Sequence, residues 1–203
     1  MFSFQHSWQH HKNSIINQHP YQSRYRIDIV HLVNNMADLA EILMVDHLAI
    51  RNLSRGLNGR PGNFELAGFH EYLMSCHVEI EEKIVFPVLK GGMWEDSRDF
   101  NSAVDRIKSD HKLIDALAKN LIKWHYDGNA EIYSLRFPLY FKLLLEHNGN
   151  EESDLFQRWD RIDATEVRGA KKEAESIIDS FGRKKYLEIV GYTDAAFAYI
   201  FRR

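Results

Sequence analysis

The sequence predicts an all-α fold, an antiparallel up-down-up-down four-helix bundle with additional C-terminal helices. Apolar residues recur at three- and four-residue steps in four long segments, and short breaks rich in Gly and Asn separate these segments. No segment shows the alternating pattern of a β-strand. Four helices of about 25 to 30 residues joined by short loops bury their apolar faces most simply as such a bundle.

The chain is predicted to have three parts. Residues 1–25 are rich in His, Gln, Asn and Ser without periodicity, which predicts a loosely ordered arm. The bundle is expected over residues 26–162, and its first helix covers about 27–57. Residues 163–203 form a helical extension with many apolar side chains, which is expected either to pack on the bundle or to form a contact in a homo-oligomer.

The other three bundle helices follow from the same pattern. Helix two is predicted over about 64–89, with Asn63 as its N-cap and with Pro87 distorting its last turn. Helix three is predicted over about 97–124, and helix four over about 130–159.

Composition excludes several classes of function. The net charge of -3, with acidic and basic residues mixed along the chain, excludes the basic stripe of a nucleic-acid-binding protein. No apolar run reaches the ~20 residues needed to span a bilayer, and the first residues lack the apolar core of a signal peptide, so we expect a cytoplasmic protein with no membrane partner. The single cysteine, Cys76, excludes disulfide frameworks and cysteine-rich metal sites. Any metal must therefore be held by nitrogen and oxygen ligands.

Helices two and four share a motif with metal-ligand spacing. His77 is followed by Glu81, and His147 by Glu151, and both segments read H-x-x-x-E-E-x-x-x-F. Residues four apart lie on one face of a helix, so each pair presents an imidazole and a carboxylate toward one point. One such pair is weak evidence for a metal site, but the repeat is strong evidence.

Helices one and three share a second motif. Each carries an Asp-His pair, Asp46-His47 and Asp110-His111, followed by Leu six residues after the His. The chain therefore consists of two similar helical hairpins in tandem. At ~1.5 Å per residue, the distances of the four histidines from the ends of their helices place them all in one layer near the middle of the bundle.

These motifs resemble those of the hemerythrin-like, or HHE cation-binding, family over about residues 30–160. The resemblance implies two non-haem iron ions bridged by carboxylates and an oxo or hydroxo group, with histidines completing each iron. Oxygen-carrying hemerythrins have a second His four residues after the His of helix three, whereas this chain has Asp115 there. Reversible oxygen carriage therefore does not follow from the resemblance. The predicted metal ligands are His47, His77, Glu81, His111, His147 and Glu151.

The predicted function is binding or sensing of oxygen or a related small oxidant at this four-His, two-Glu centre. Two nitrogens, two bridging oxygens and a solvent bridge leave each iron five-coordinate, with room for oxygen, peroxide or nitric oxide. The alternatives are a di-iron enzyme that reduces peroxide or another oxidant, and an iron-handling protein. An enzyme needs a proton relay. The candidates on the ligand-bearing helices are Tyr72, Tyr140 and Cys76, and we favour a core-packing role for all three.

Three further residues could support the centre. His70, seven residues before His77, is a candidate fifth nitrogen but lies ~10 Å along the helix, which favours a supporting or core role. Asp115 is expected to orient His111 or a neighbouring imidazole, and Arg51 to neutralise a nearby acid. Gly149, inside helix four, predicts either the close approach of another segment or a tolerated surface glycine.

Overall fold

The described part of this computed structural model, residues 39–91 and 98–191, is helical and has no strand. The predicted N-terminal arm and the first part of helix one lie outside the described residues. Helix α1 covers Leu39–Leu57 and ends at Asn58 and Gly59, whose φ angles of 47° and 71° lie in the left-handed region. Glycine adopts this conformation without a steric penalty, and Asn is the next most tolerant residue, so the predicted break after helix one is a helix stop.

Helix α2 runs without interruption from Leu66 to Gly91 but is not a regular α-helix. It contains two π turns, Leu73–His77 and Glu81–Val85, within α-helical segments. The second π turn ends two residues before Pro87, where distortion was expected, because proline lacks an N–H and its ring crowds the preceding turn. Neither the number nor the position of the π turns was predicted.

The predicted N-cap of this helix is wrong. The cap is Glu65, whose side chain accepts a hydrogen bond from the Gly68 N–H at 2.7 Å, and not Asn63. The helix begins at Leu66, so Asn63 lies two residues before the capping position and is too far from the first free N–H groups to cap them.

Helices three and four lie close to their predicted ranges. Helix α3 covers Arg98–Tyr126, and helix α4 covers Ala130–Asp154 and continues through Pro138. A 3₁₀ segment, Phe156–Arg161, replaces the expected last turns of helix four. Helix α4 packs along α3 and against α1, while the start of α2 packs against α3. These contacts leave the central residues of all four helices facing one interior.

The C-terminal extension packs on the same body. Helix α5 covers Ala164–Phe181 and buries Val167, Ala170, Ala174 and Ile178, a spacing of three and four residues, against α1 and both π turns of α2. Helix α6, Arg183–Val190, follows a turn at Gly182 and packs on α1, α2 and α5. The first of the two expectations for the extension, packing on the bundle, therefore holds for residues 164–190. The end of the extension, residues 192–203, lies outside the described residues.

Within residues 39–91 and 98–191, every helix is too short or too polar to cross a membrane.

Candidate metal centre

The structure brings all six predicted ligands into one buried cluster. Four of them lie near the middle of their helices, whereas His147 and Glu151 lie within the last eight residues of α4. The exposed fraction of each of the six residues is 2% or less. Their ligand atoms fall into two sets, and within each set all atoms lie within 4.8 Å of one another. The first set is His47, His77, Glu81 and Glu151, and the second is Glu81, His111, His147 and Glu151.

The two glutamates belong to both sets, whereas each histidine belongs to one. Glu81 directs its two oxygens to different histidines, since Oε1 lies 3.0 Å from His77 Nε2 and Oε2 lies 3.2 Å from His111 Nε2. Across the cluster, Glu151 Oε2 lies 3.3 Å from His47 Nε2 and 3.4 Å from His147 Nε2. Each carboxylate is therefore in reach of one histidine from each set, as a bridging ligand would be.

Most of the atoms that face the middle of the cluster make no hydrogen bond within the described protein. They are the Nε2 atoms of His47 and His77 and both carboxylate oxygens of Glu81 and Glu151. Leaving so many buried polar atoms unpaired costs several kcal/mol, which bound cations would offset. Imidazole nitrogens and carboxylate oxygens are also donors that suit iron or manganese, whereas soft metal ions prefer sulfur donors. The residues present therefore fit a pair of cations.

Carboxylates next to the predicted ligands in the sequence accept hydrogen bonds from the Nδ1 atoms of three histidines. His47 Nδ1 donates to Glu152 at 2.8 Å, and His111 Nδ1 donates to Glu82 at 2.7 Å. His77 Nδ1 donates in the same way to Asp46 at 3.1 Å. An ionised carboxylate can only accept, so in the neutral form of each ring the proton lies on Nδ1, and Nε2 is the nitrogen that can bind a cation.

These contacts explain the two dipeptide motifs. The Asp of Asp46-His47 on α1 supports the histidine of α2, and the second Glu of each Glu-Glu pair supports a histidine of another helix. Asp110 is the nearest carboxylate to His147 Nδ1, but their separation of 3.9 Å is too long for a hydrogen bond. Each dipeptide thus supplies one residue to the cluster and one to its surroundings. The sequence shows these dipeptides, but their pattern alone predicts no role for Asp46, Glu82 or Glu152.

The cluster has strongly perturbed pKa values in the absence of metal. Burial raises the pKa of Glu151 to about 7, and the charge of Glu81 acts in the same direction. Burial lowers the pKa of His147 to about 3. For His47 burial also acts to lower the pKa, but contacts with Glu151, Glu152 and Glu81 outweigh it and raise the pKa to about 9. Such divergent shifts in one buried cluster are typical of functional sites.

The two predicted ligands of α2 lie at its π turns. His77 is the last residue of the first π turn, and Glu81 is the first residue of the second. A π turn changes the direction in which the following side chains point, and such turns are frequent at functional sites. The i, i+4 pair therefore reaches the cluster on a modified helix, whereas His147 and Glu151 do so on a regular one.

His70 is not part of either set of ligand atoms. Its Nε2 instead pairs with Asp115 Oδ1 at 2.9 Å, so Asp115 supports an imidazole other than His111. Arg51 pairs with Glu152 at 2.6 Å, as expected of a residue that neutralises a nearby acid. Tyr72, Tyr140 and Cys76 are fully buried in the core, and burial raises the pKa of the Cys76 thiol well above its usual range.

The close approach suggested at Gly149 is not found among the described residues. Apart from the adjoining residues and backbone of its own helix, no described atom lies within 4 Å of a Cβ built at this position, and the residue is exposed. Helices α5 and α6 pack on α1 and α2, so they do not cross α4 at this level. Among the described residues, Gly149 is a surface glycine, while the N-terminal arm, the other segment expected to approach it, lies outside the described residues.

Comparison with known proteins agrees with this geometry. The family model described as the hemerythrin HHE cation binding domain matches residues 38–159, which is more than half of the chain. No curated protein and no solved structure was found to match. The match ends before helix α5.

Proposed function

We propose that this chain, which belongs to the hemerythrin HHE cation-binding family, holds two non-haem iron ions between its four central helices. One ion would be held by His47 and His77, and the other by His111 and His147, with Glu81 and Glu151 bridging them. The observation that carries this proposal is the presence of both glutamates in both sets of ligand atoms. We also propose that these four helices form the antiparallel up-down-up-down bundle typical of the family.

Iron is favoured by both the family and the donor set. Four imidazoles and two carboxylates suit iron or manganese, and a closed structural zinc site takes only four ligands per ion. When bound, two irons with an open coordination position supply binding of a small molecule such as oxygen, peroxide or nitric oxide. The protein's own contribution is to hold three of the four histidines through hydrogen bonds from their Nδ1–H groups to carboxylates, and to keep the site buried.

The function we favour is binding or sensing of oxygen or a related small oxidant. An enzyme that reduces peroxide needs a proton donor in reach of the site. Tyr72, Tyr140 and Cys76, the candidates that the sequence suggested, are fully buried members of the hydrophobic core, which supports the packing interpretation. The alternative functions remain a di-iron enzyme and an iron-handling protein.

Iron reconstitution tests the metal proposal. Anaerobically purified protein supplied with Fe(II) is expected to bind about two iron ions per chain. Binding of less than one ion per chain contradicts the proposal, and binding of many ions per chain favours iron handling.

Optical spectra then separate the functions. Adding oxygen or peroxide to the ferrous protein is expected to give a new absorption band that persists until the small molecule is removed or the iron is reduced. Continuous consumption of peroxide with a reductant present would instead favour the enzyme.

A further inference from the structure

Asp46 is the one fully buried carboxylate among the four acidic side chains that surround the histidines. Its exposed fraction is 0%, whereas the side chains of Glu152, Glu82 and Asp110 are 26%, 37% and 32% exposed. Water can reach the three partly exposed carboxylates. The oxygens of Asp46 must instead find their donors within the protein, because an unpaired buried carboxylate oxygen carries a large desolvation cost.

Both oxygens of Asp46 have such donors. Oδ2 accepts the His77 Nδ1–H at 3.1 Å, and Oδ1 accepts the hydroxyl of Tyr186 at 2.8 Å. The three side chains come from three helices, α1, α2 and α6. The Asp46 carboxylate thus joins Tyr186 to His77, a predicted metal ligand, through two hydrogen bonds.

Tyr186 lies in the C-terminal extension, beyond residue 159, where the family match ends. Several contacts hold its helix in place. The chain turns at Gly182, whose φ of 108° favours glycine, and Lys185 pairs with Glu71 of α2 at 2.7 Å. The rings of Tyr186 and Tyr72 pack with centroids 6.0 Å apart, and Leu187 is buried beside them. The hydroxyl of Tyr186 is therefore presented to Asp46 by a packed element.

We propose that Tyr186 is a positioning residue for the cation site: it holds Asp46, which in turn orients His77. The C-terminal extension thereby completes the surroundings of one of the two ions and is more than a cover for apolar surface. This inference rests on the proposed function, since it concerns the ion held by His47 and His77. Without the hydroxyl, Asp46 turns toward another donor, and His77 loses its fixed orientation.

The test is Co(II) binding to the full-length Tyr186→Phe variant. The variant is expected to take up as many Co(II) ions as the wild type, but to bind one of them roughly tenfold more weakly in competition with a chelator. The visible spectrum of that Co(II) is expected to change. Tyr140→Phe is the matched control, because Tyr140 is equally buried and its hydroxyl makes no hydrogen bond among the described residues.

A double-mutant cycle separates positioning from packing. Asp46→Asn alone is expected to weaken binding of the same ion by about 10- to 100-fold, and adding Tyr186→Phe should then have no further effect. If the double variant binds this ion roughly tenfold more weakly than Asp46→Asn does, the proposal is overturned. If Asp46→Asn does not fold, Tyr186→Phe alone decides. The proposal is also overturned if Tyr186→Phe binds Co(II) within twofold of the wild-type affinity and only the melting temperature of its metal-free form is lower. Failure of the wild type to bind even one Co(II) contradicts the proposed function instead.

Discussion

Replacing Glu81 with Gln tests whether this residue bridges two cations. Its carboxylate contacts three histidines, His77 at 3.0 Å, His111 at 3.2 Å and His47 at 3.9 Å, and it belongs to both sets of ligand atoms. Gln has the same shape but lacks the charge and the second acceptor oxygen. Glu81→Gln is therefore expected to abolish binding of both ions, whereas His77→Gln, in one set only, should retain about one.

The thermal stability gained from metal gives the size of the effect. At a metal concentration 100-fold above Kd, each bound ion stabilises the native state by about 2.7 kcal/mol. For a chain of this length, 1 kcal/mol shifts the melting temperature by about 2 to 4 °C, so each ion contributes roughly 5 to 11 °C. Wild-type protein is expected to lose both increments when a chelator is added. His77→Gln should lose one increment, and Glu81→Gln should show no metal-dependent change.

The measurement combines metal analysis of reconstituted protein with differential scanning calorimetry, with and without chelator. Glu79→Gln is the matched control, because Glu79 lies two residues away on the same helix and pairs with Lys83 instead of a histidine. It should behave as the wild type does. If Glu81→Gln retains one ion per chain and half of the metal-dependent stabilisation, Glu81 serves a single ion and the bridging interpretation is wrong.

Three further predictions concern the protein around the site. Ile178→Ala is expected to destabilise the protein by about 2–5 kcal/mol in urea unfolding, because this side chain is fully buried between the extension and the bundle. An equal loss of stability in Ile177→Ala, at the half-buried neighbour, would contradict this reasoning. Gly149→Ala is expected to raise stability by about 0.4–1 kcal/mol, and a loss would show that another segment crosses there. Burial lowers the pKa of His70 despite its bond to Asp115, and Lys119 acts in the same direction as burial. As the pH drops through about 6.5, His70 therefore takes up a proton in the unfolded chain first, and the free energy of unfolding falls. In urea unfolding, the free energy of unfolding of the wild type minus that of His70→Gln should therefore decrease from pH ~7 to pH ~5. An increase would show that His70 is protonated in the folded protein.

The sequence was most informative where a pattern repeats. The H-x-x-x-E-E motif of helices two and four and the Asp-His pairs of helices one and three placed six residues at one level, and the structure brings these six together. The prediction succeeded because helical rise and periodicity are local properties, so positions along a helix can be counted. The same counting predicted helices α3 and α4 to within a few residues of their starts.

The errors concern the places where local rules compete. Asn63 is a good capping residue, but Glu65 caps the helix because the position of the helix start, not residue preference alone, decides which N–H groups are free. The π turns at His77 and Glu81 were missed because a π turn has no strong sequence signal beyond a nearby Pro87.

The sequence by itself therefore determined the helical class, the family and the residues that meet in the buried layer. Only the tertiary structure decided which carboxylate supports which histidine, because those bonds join residues 29 to 105 positions apart and depend on side-chain direction. The same is true of Tyr186, which reaches Asp46 across 140 residues from a segment outside the family match. Helical periodicity can place a residue on a face of its own helix, but the packing of one helix on another determines which side chains that face meets.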